Sequence, residues 1–460
     1  MKNLQYSHLV TFWKKLTSGS TSRQIFGAAI TVGLGTALVK IAAMAKELLV
    51  AWRFGTQDEL DAFYIALAIP SFVINVTTGA FNSAFIPTYI QVLHKQGVKA
   101  SQELFSSATR CNIGLLVIAG VFVVITAPVY LQLIASGLSS QKLSLTFNLL
   151  LVIAPFILLS GISAIWGAVF NAREHFALFA LVPVVTPLIT IAFLLRLKSW
   201  GIFAFASALL CGALVEIVIL GVGLYKQGIS LYPKWYGFDS NLRQASNQYA
   251  PMIAGSLMTC SAGIVDQVMA AMLSPGSVAA LNYGNRLIIS PISLMSLALG
   301  TAVIPYFSKM VASGDWKGVS HTLKHYLLII FLITVPLAAI MFIYAQPIIE
   351  LFFQRGSFTS EDTVLVAQIQ SFYALQIPFY IGCILLLKLI SSMQQNQILM
   401  WVSGFGLVVN ILGNYLFIQW LGIKGIALST SCVYLFSFLY LLVAVNKQLK
   451  KYRKMQNKCN

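Results

Sequence analysis

About twelve stretches of predominantly apolar residues follow one another along this chain, at 25–52, 62–92, 110–135, 143–171, 177–197, 202–225, 246–273, 279–309, 324–352, 362–392, 396–420 and 423–446. A bilayer core of about 30 Å takes about 20 apolar residues of helix to cross. Inside lipid the backbone must satisfy its own hydrogen bonds, so helices and closed barrels are the only spanning structures. Barrel strands alternate apolar and polar residues and would not give unbroken runs of this length. The expected fold class is therefore an all-α polytopic membrane protein. Composition agrees, with 58% hydrophobic and 9% charged residues and a mean hydropathy of +0.82. An average soluble domain carries about 25% charged residues.

Thirty basic residues face 13 acidic ones, a formal charge of +17. Their distribution follows the positive-inside rule, so no nucleic acid is expected as a partner. One set of loops holds Lys14, Lys15 and Arg23, then Lys95, Lys99 and Arg110, then Lys226, Lys234 and Arg243, and ends in the basic tail from Lys447. The opposite set is poorer in bases, although Arg196 and Lys198 fall there, and includes Asp58, Glu59 and Asp61. Both termini are expected in the cytoplasm, with Phe12 and Trp13 in a short interfacial segment. Six scattered cysteines read as packing residues, with no spacing that suggests a disulfide or metal framework.

An internal repeat organises the spans. SAFIPTYIQ at 83–91 resembles TAVIPYFSK at 301–309, and IAPF at 153–156 resembles QIPF at 376–379. Each match links a span to the one six later, so the halves read as parallel repeats about an axis along the membrane normal. The predicted organisation is an N-terminal segment 1–24, a six-helix lobe 25–225, a cytoplasmic linker 226–245, a six-helix lobe 246–446 and a basic tail 447–460. Two-lobed membrane proteins of this kind move solutes by rocking around a midplane cavity.

No constellation of residues suggests an enzyme. What stands out is a set of ionisable groups within the spans, each a functional candidate by default. Lys40 and Lys46 lie in ALVKIAAMAKELLVAW, and Arg286 lies in ALNYGNRLIISP. Facing one another, these cations would suit an anionic head such as a diphosphate. Lys40 and Lys46 are about 9 Å apart along a helix and about 120° apart around it. Glu47 shares nearly the face of Lys40 and also adjoins Lys46; it and Lys388 are supporting groups. A second set joins Asp266 to Asn410, Asn414 and Thr430, with the two asparagines on one helix face. A carboxylate with neutral oxygens suits a small hard cation; equally, such residues join membrane helices by hydrogen bonds.

Four segments carry a resemblance to a known family: AKELLVAWRFGTQDELDAFYIALAIPSF, GAFNSAFIPTYIQ, ALNYGNRLIISPISLMSLALGTAVIPYFSKMVASGD and FFQRGSFTSED. They resemble the MurJ/MviN family of the MOP flippase superfamily, from about residue 24 to the end of the twelfth span. That resemblance implies a V-shaped, MATE-like fold of two lobes and an alternating-access flippase for lipid II, the undecaprenyl-diphosphate-linked peptidoglycan precursor. It also implies a bacterial inner-membrane location, membrane lipids as surroundings, and association with cell-wall or polysaccharide enzymes. Lys40 and Lys46 match cavity arginines of the family, Arg286 a cavity arginine of span 8, and Asp61 an aspartate leading into span 2. Asp266, Asn410, Asn414 and Thr430 match a sodium site, so sodium is the expected coupling ion and no other cofactor is implied. The chain departs from the family at Ile74 and Asn75, where a basic residue is usual, and at Ile289, where an acidic one is. Many members have fourteen spans. A lipid-linked exopolysaccharide is therefore the alternative cargo; a cation-coupled drug exporter and a non-transporting scaffold are more distant readings.

Overall fold

A computed structural model describes residues 21–134, 139–173, 176–302, 307, 309–311, 313–393 and 395–459. The interfacial Phe12 and Trp13 and most of TAVIPYFSK, one half of the first repeat pair, lie outside these residues.

The helices follow the apolar runs. α1 is Thr21–Phe54 and α2 is Asp58–Ile134, the latter interrupted at Gly97, where φ is 86° and ψ −175°. Left-handed φ at an extended ψ is open essentially to glycine alone, so the polar stretch around Gly97 turns the chain between the second and third spans. α3 (Ser140–Ile153) and α4 (Pro155–Ala172) make the fourth. α5 (Phe176–Leu181) and α6 (Val185–Arg196) follow, then α7 (Ile202–Lys226), α8 (Ser240–Ala271) and α9 (Ser277–Ala302). The chain continues as α10 (Trp316–Ile343), α11 (Ala345–Phe353), α12 (Ser360–Ala374), α13 (Gln376–Ser392), α14 (Asn396–Leu421) and α15 (Lys424–Cys459).

Some prolines coincide with internal breaks, while Pro291 and Pro336 lie inside continuous helices. A proline removes a ladder hydrogen bond and its ring clashes with the carbonyl four residues earlier. Pro347 thus ends α10 at Ile343, and Pro378 ends α12 at Ala374. Pro155 and Pro378 belong to the matched segments IAPF and QIPF, and both interrupt their spans. Joined across these breaks, and with α2 divided at Gly97, the described helices make about twelve passes, as the apolar runs predict. Among the described residues, nine helical segments are long and apolar enough to cross a membrane; Asp58–Gln132 is one of them and contains two passes.

The chain forms two compact units whose limits do not follow the two sets of six spans. Unit 1 contains the described residues up to Leu49, with Thr77–Phe122 and Val152–Met252; unit 2 contains Val50–Val76, Val123–Leu151 and Ile253 onward. Every limit falls inside a helix, so α1, α2, α3 and α8 each contribute to both units. The core of unit 1 is aromatic: Phe81 stacks on Phe85 at 4.8 Å, and Phe85 meets Tyr89 at 5.4 Å. Small residues bring its helices close, with Gly167 against Phe179 and Gly221 against Trp166. In unit 2 the rings of Tyr283, Phe353 and Phe358 pack mutually at 5.2, 5.4 and 5.8 Å.

Candidate functional site

Within unit 2, four connections converge. They are the turn between α1 and α2, the start of α3, the turn before α9 and the turn before α12. Counted along the spans these are the first, third, seventh and ninth connections, so all lie on one side of the membrane. Asp61 is central. Its carboxylate accepts the backbone N–H of Gly276 at 2.7 Å and of Ala279 at 2.8 Å. These belong to the unsatisfied donors of the first turn of α9, where the helix dipole favours a negative charge. The buried Lys142 completes the cluster, at 3.3 Å from Asp61 and 2.7 Å from Asp58. Beside it, Ser357 donates its N–H to the Trp52 carbonyl at 2.8 Å and its hydroxyl to the Arg53 carbonyl at 3.0 Å. Thr56 donates to Asp362, which also closes a capping box with Thr359 at the start of α12. Gly276 sits at φ 83°, and a Cβ there would run into the Thr56 carbonyl. The result is a clasp of charge-assisted and backbone hydrogen bonds between the first and second halves of the chain.

The second cluster lies deep in unit 2. Asn410 and Asn414, one turn apart on α14, both donate to Asp266 Oδ1, at 2.9 and 2.7 Å. Thr430 donates to Asp266 Oδ2 at 3.2 Å from α15, and the buried Tyr373 of α12 lies beside Thr430 and Asp266. Three helices thus meet on one carboxylate. Asn410 Oδ1 and Asn414 Oδ1 are buried without a hydrogen-bond partner. A buried amide oxygen left unsatisfied is costly, and an amide half-turn exchanges its oxygen for its NH2. The set therefore fits a monovalent hard cation such as sodium: one carboxylate, two orphaned amide oxygens and a hydroxyl.

The cationic candidates divide between the units. Lys40 and Lys46 belong to unit 1 and Arg286 to unit 2. All three are half-buried. Lys46 pairs with Glu47 at 2.7 Å and lies over the Phe205 ring at 5.4 Å from its centroid. Glu47 is 2% exposed, so this pair with Lys46 is largely withdrawn from solvent. Arg286 lies three turns into α9, the helix that Asp61 caps. Lys388 is exposed, one turn from the end of α13.

Lys142, Thr56 and Asp362 are clasp residues that loop charges alone do not single out. The signal for Lys142 is a base in SSQKLSL, on the side that otherwise carries DELD. The signal for Asp362 is the Thr-Ser-Glu-Asp capping pattern before an apolar run.

Comparison with known proteins adds a family context. The family described as lipid II flippase MurJ matches residues 50–459. The lipid II flippase MurJ of Burkholderia cenocepacia is 26% identical over 437 residues, covering 92% of this chain and 84% of that protein. A solved lipid II flippase MurJ in an inward closed conformation superposes with a TM-score of 0.79 at 24% identity, over 92% of this chain and 90% of that one. An inward-facing multidrug resistance MATE transporter of the MOP superfamily superposes with a TM-score of 0.76 at 13% identity, over 93% and 99%.

Proposed function

Because this chain belongs to the lipid II flippase MurJ family, we propose that it carries an undecaprenyl-diphosphate-linked saccharide of the lipid II type across the bacterial cytoplasmic membrane by alternating access. It is a multi-pass membrane transporter. The observation that carries the mechanism is the clasp: residues from both halves of the chain join on one side of the membrane. Loop charge makes that side the outer one and leaves both termini in the cytoplasm. Each clasp contact is a hydrogen bond or ion pair whose members regain water on opening, so closure is strong yet reversible.

Lys40, Lys46 and Arg286 bind the diphosphate, with arginine supplying a planar fork and the lysines mobile point charges. Glu47 holds Lys46 before cargo arrives, Asp61 holds the clasp, and Lys388 serves the inner rim. Asp266, Asn410, Asn414 and Thr430 would hold sodium, which supplies the positive charge that neutralises the buried Asp266. Without it, the same residues bind α8, α14 and α15 together through the carboxylate. Enzymes that make or polymerise the saccharide are the natural protein partners. The lysines at 40 and 46 favour a second reading, a lipid-linked exopolysaccharide unit, since they drop the bidentate geometry of the family's arginines.

The test is complementation of a strain depleted of its own lipid II flippase. Arg286→Ala is expected to abolish rescue while the protein stays in the membrane at parental abundance. Full rescue by Arg286→Ala overturns the cationic site, and failure of the unsubstituted chain to rescue favours the exopolysaccharide cargo.

A further inference from the structure

The connection between α7 and α8 is neither helical nor detached. Gln102 donates to the Gly228 carbonyl at 3.1 Å, and the Ser106 hydroxyl both donates to the Lys234 carbonyl at 2.9 Å and accepts the Lys234 N–H at 2.6 Å. Ser107 accepts the Tyr236 N–H at 3.3 Å. Ile229 is buried in the core of unit 1, and Leu231 packs against it. The segment is thus strapped along the helical turns that lead into the third span, inside unit 1, by its backbone and its inward side chains.

Its outward face is aromatic. Tyr232, Trp235, Tyr236 and Phe238 are 72, 45, 53 and 65% exposed, and the Trp235 and Phe238 rings meet edge to face at 5.8 Å. A contiguous exposed aromatic patch marks an interaction surface. The level of this one in the membrane is fixed by α7. Val218, Val222 and Tyr225 are all exposed and, spaced by four and three, share one face of that helix. The lipid-facing stripe of the sixth span therefore runs into the connection, with Tyr225 as its last ring. Tyrosine and tryptophan concentrate where hydrocarbon meets headgroups. The exposed charges around the patch are mainly positive: Lys95, Lys99, Lys226, Lys234 and Arg243. The nearby carboxylate of Asp239 is engaged in capping α8 through the Leu242 N–H at 2.8 Å.

We propose that residues 225–238 form a headgroup-level anchor that binds anionic phospholipid, with the aromatic rings seated among the glycerol and acyl carbonyls and Lys226 and Lys234 on the phosphates. The sequence reading of 226–245 as a cytoplasmic linker becomes, on this basis, a segment lying in the membrane surface. The occupant follows from two features together. The patch continues a lipid-facing stripe, and its positive charge complements the net negative charge of phosphatidylglycerol or cardiolipin, which a zwitterionic headgroup balances with its own cation. The anchor holds the junction of the sixth and seventh spans at a fixed depth, and it acts whichever saccharide is carried.

The test uses the full chain in nanodiscs, with native cysteines replaced by serine and an environment-sensitive fluorophore at Tyr236→Cys. Quenching by neutral, aqueous acrylamide is compared in phosphatidylcholine alone and with phosphatidylglycerol added. Protection is expected to rise about threefold with the anionic lipid, and Lys226→Gln with Lys234→Gln is expected to remove that increment. Equal quenching in both compositions, or an increment that survives the two lysine substitutions, overturns the proposal. Native mass spectrometry of the unlabelled chain gives a second reading that needs no cysteine-free background. Trp235→Ala with Phe238→Ala should lower the phosphatidylglycerol retained, and unchanged retention also overturns the anchor.

Discussion

Asparagine at position 61 probes the clasp where its contacts are most concentrated. The Asp61 carboxylate receives two backbone amides of α9, at 2.7 and 2.8 Å, and Lys142 at 3.3 Å. An amide keeps one oxygen and presents an NH2 donor in place of the other, so one buried N–H of α9 loses its acceptor, a cost of about 1–3 kcal/mol. Lys142 keeps Asp58 at 2.7 Å, on a side chain that is 57% exposed, so its loss is smaller, about 1 kcal/mol. Together, about 2–4 kcal/mol changes the ratio of closed to open clasp by about 30- to 700-fold, at about 1.4 kcal/mol for each factor of ten. Ser277, only 1% exposed behind the clasp, reports the change when replaced by cysteine. With the clasp on the outer side, as proposed, the rate at which an impermeant maleimide labels Ser277→Cys from outside the cell measures the open fraction. It should rise steeply in Asp61→Asn and saturate as the open state comes to dominate. An unchanged rate in a folded Asp61→Asn protein would refute the reasoning, and Asp61 would then cap α9 without closing anything.

Gly276→Ala should act through the same state: a Cβ at φ 83° meets the Thr56 carbonyl, and left-handed strain adds about 1–2 kcal/mol. Faster labelling of Ser277→Cys and a lower Tm are expected, measured on the purified protein. At the second cluster, Asp266→Asn should abolish a sodium-dependent rise in Tm that potassium does not reproduce. A sodium shift that persists in Asp266→Asn would remove the cluster as the ion site.

The spans were legible because lipid leaves the backbone one local solution; their internal breaks were less so, since Pro347 and Pro378 follow breaks while Pro291 and Pro336 lie inside continuous helices. The Asp266 cluster was half legible. Asn410 and Asn414 announce a shared face by their spacing, while their convergence on one oxygen of Asp266 depends on how α8 and α14 pack. The clasp was less so. Asp61 emerged from family resemblance, but its main partners are the amides of Gly276 and Ala279, and backbone groups carry no residue-type signal. The same holds for the α7–α8 connection, whose straps run from serine and glutamine side chains to main-chain atoms. The limits of the two units were not legible at all, because each falls inside an apolar helix and not in a connection.

The position of Glu47 carries a consequence for how cargo is gripped and released. Lys46 is bound at 2.7 Å to a carboxylate that is 2% exposed. In the proposed site, an arriving diphosphate competes with that carboxylate for the same ammonium. Leaving one member of a buried pair alone costs about 3–5 kcal/mol, so part of the binding energy is spent opposing Glu47. The same repulsion returns on release, when Glu47 draws Lys46 back and helps expel the anion. Glu47→Gln removes the competitor and keeps the shape of the side chain. It should tighten binding of a prenyl diphosphate by about tenfold, equivalent to about 1.4 kcal/mol, while slowing growth of the complemented strain through delayed release. Binding is read by native mass spectrometry with the lipid diphosphate, and turnover by the depletion strain. Weaker binding in Glu47→Gln, matching that of Lys46→Ala, would assign the carboxylate the opposite role: it would aim the lysine at the phosphate, with no competition between them.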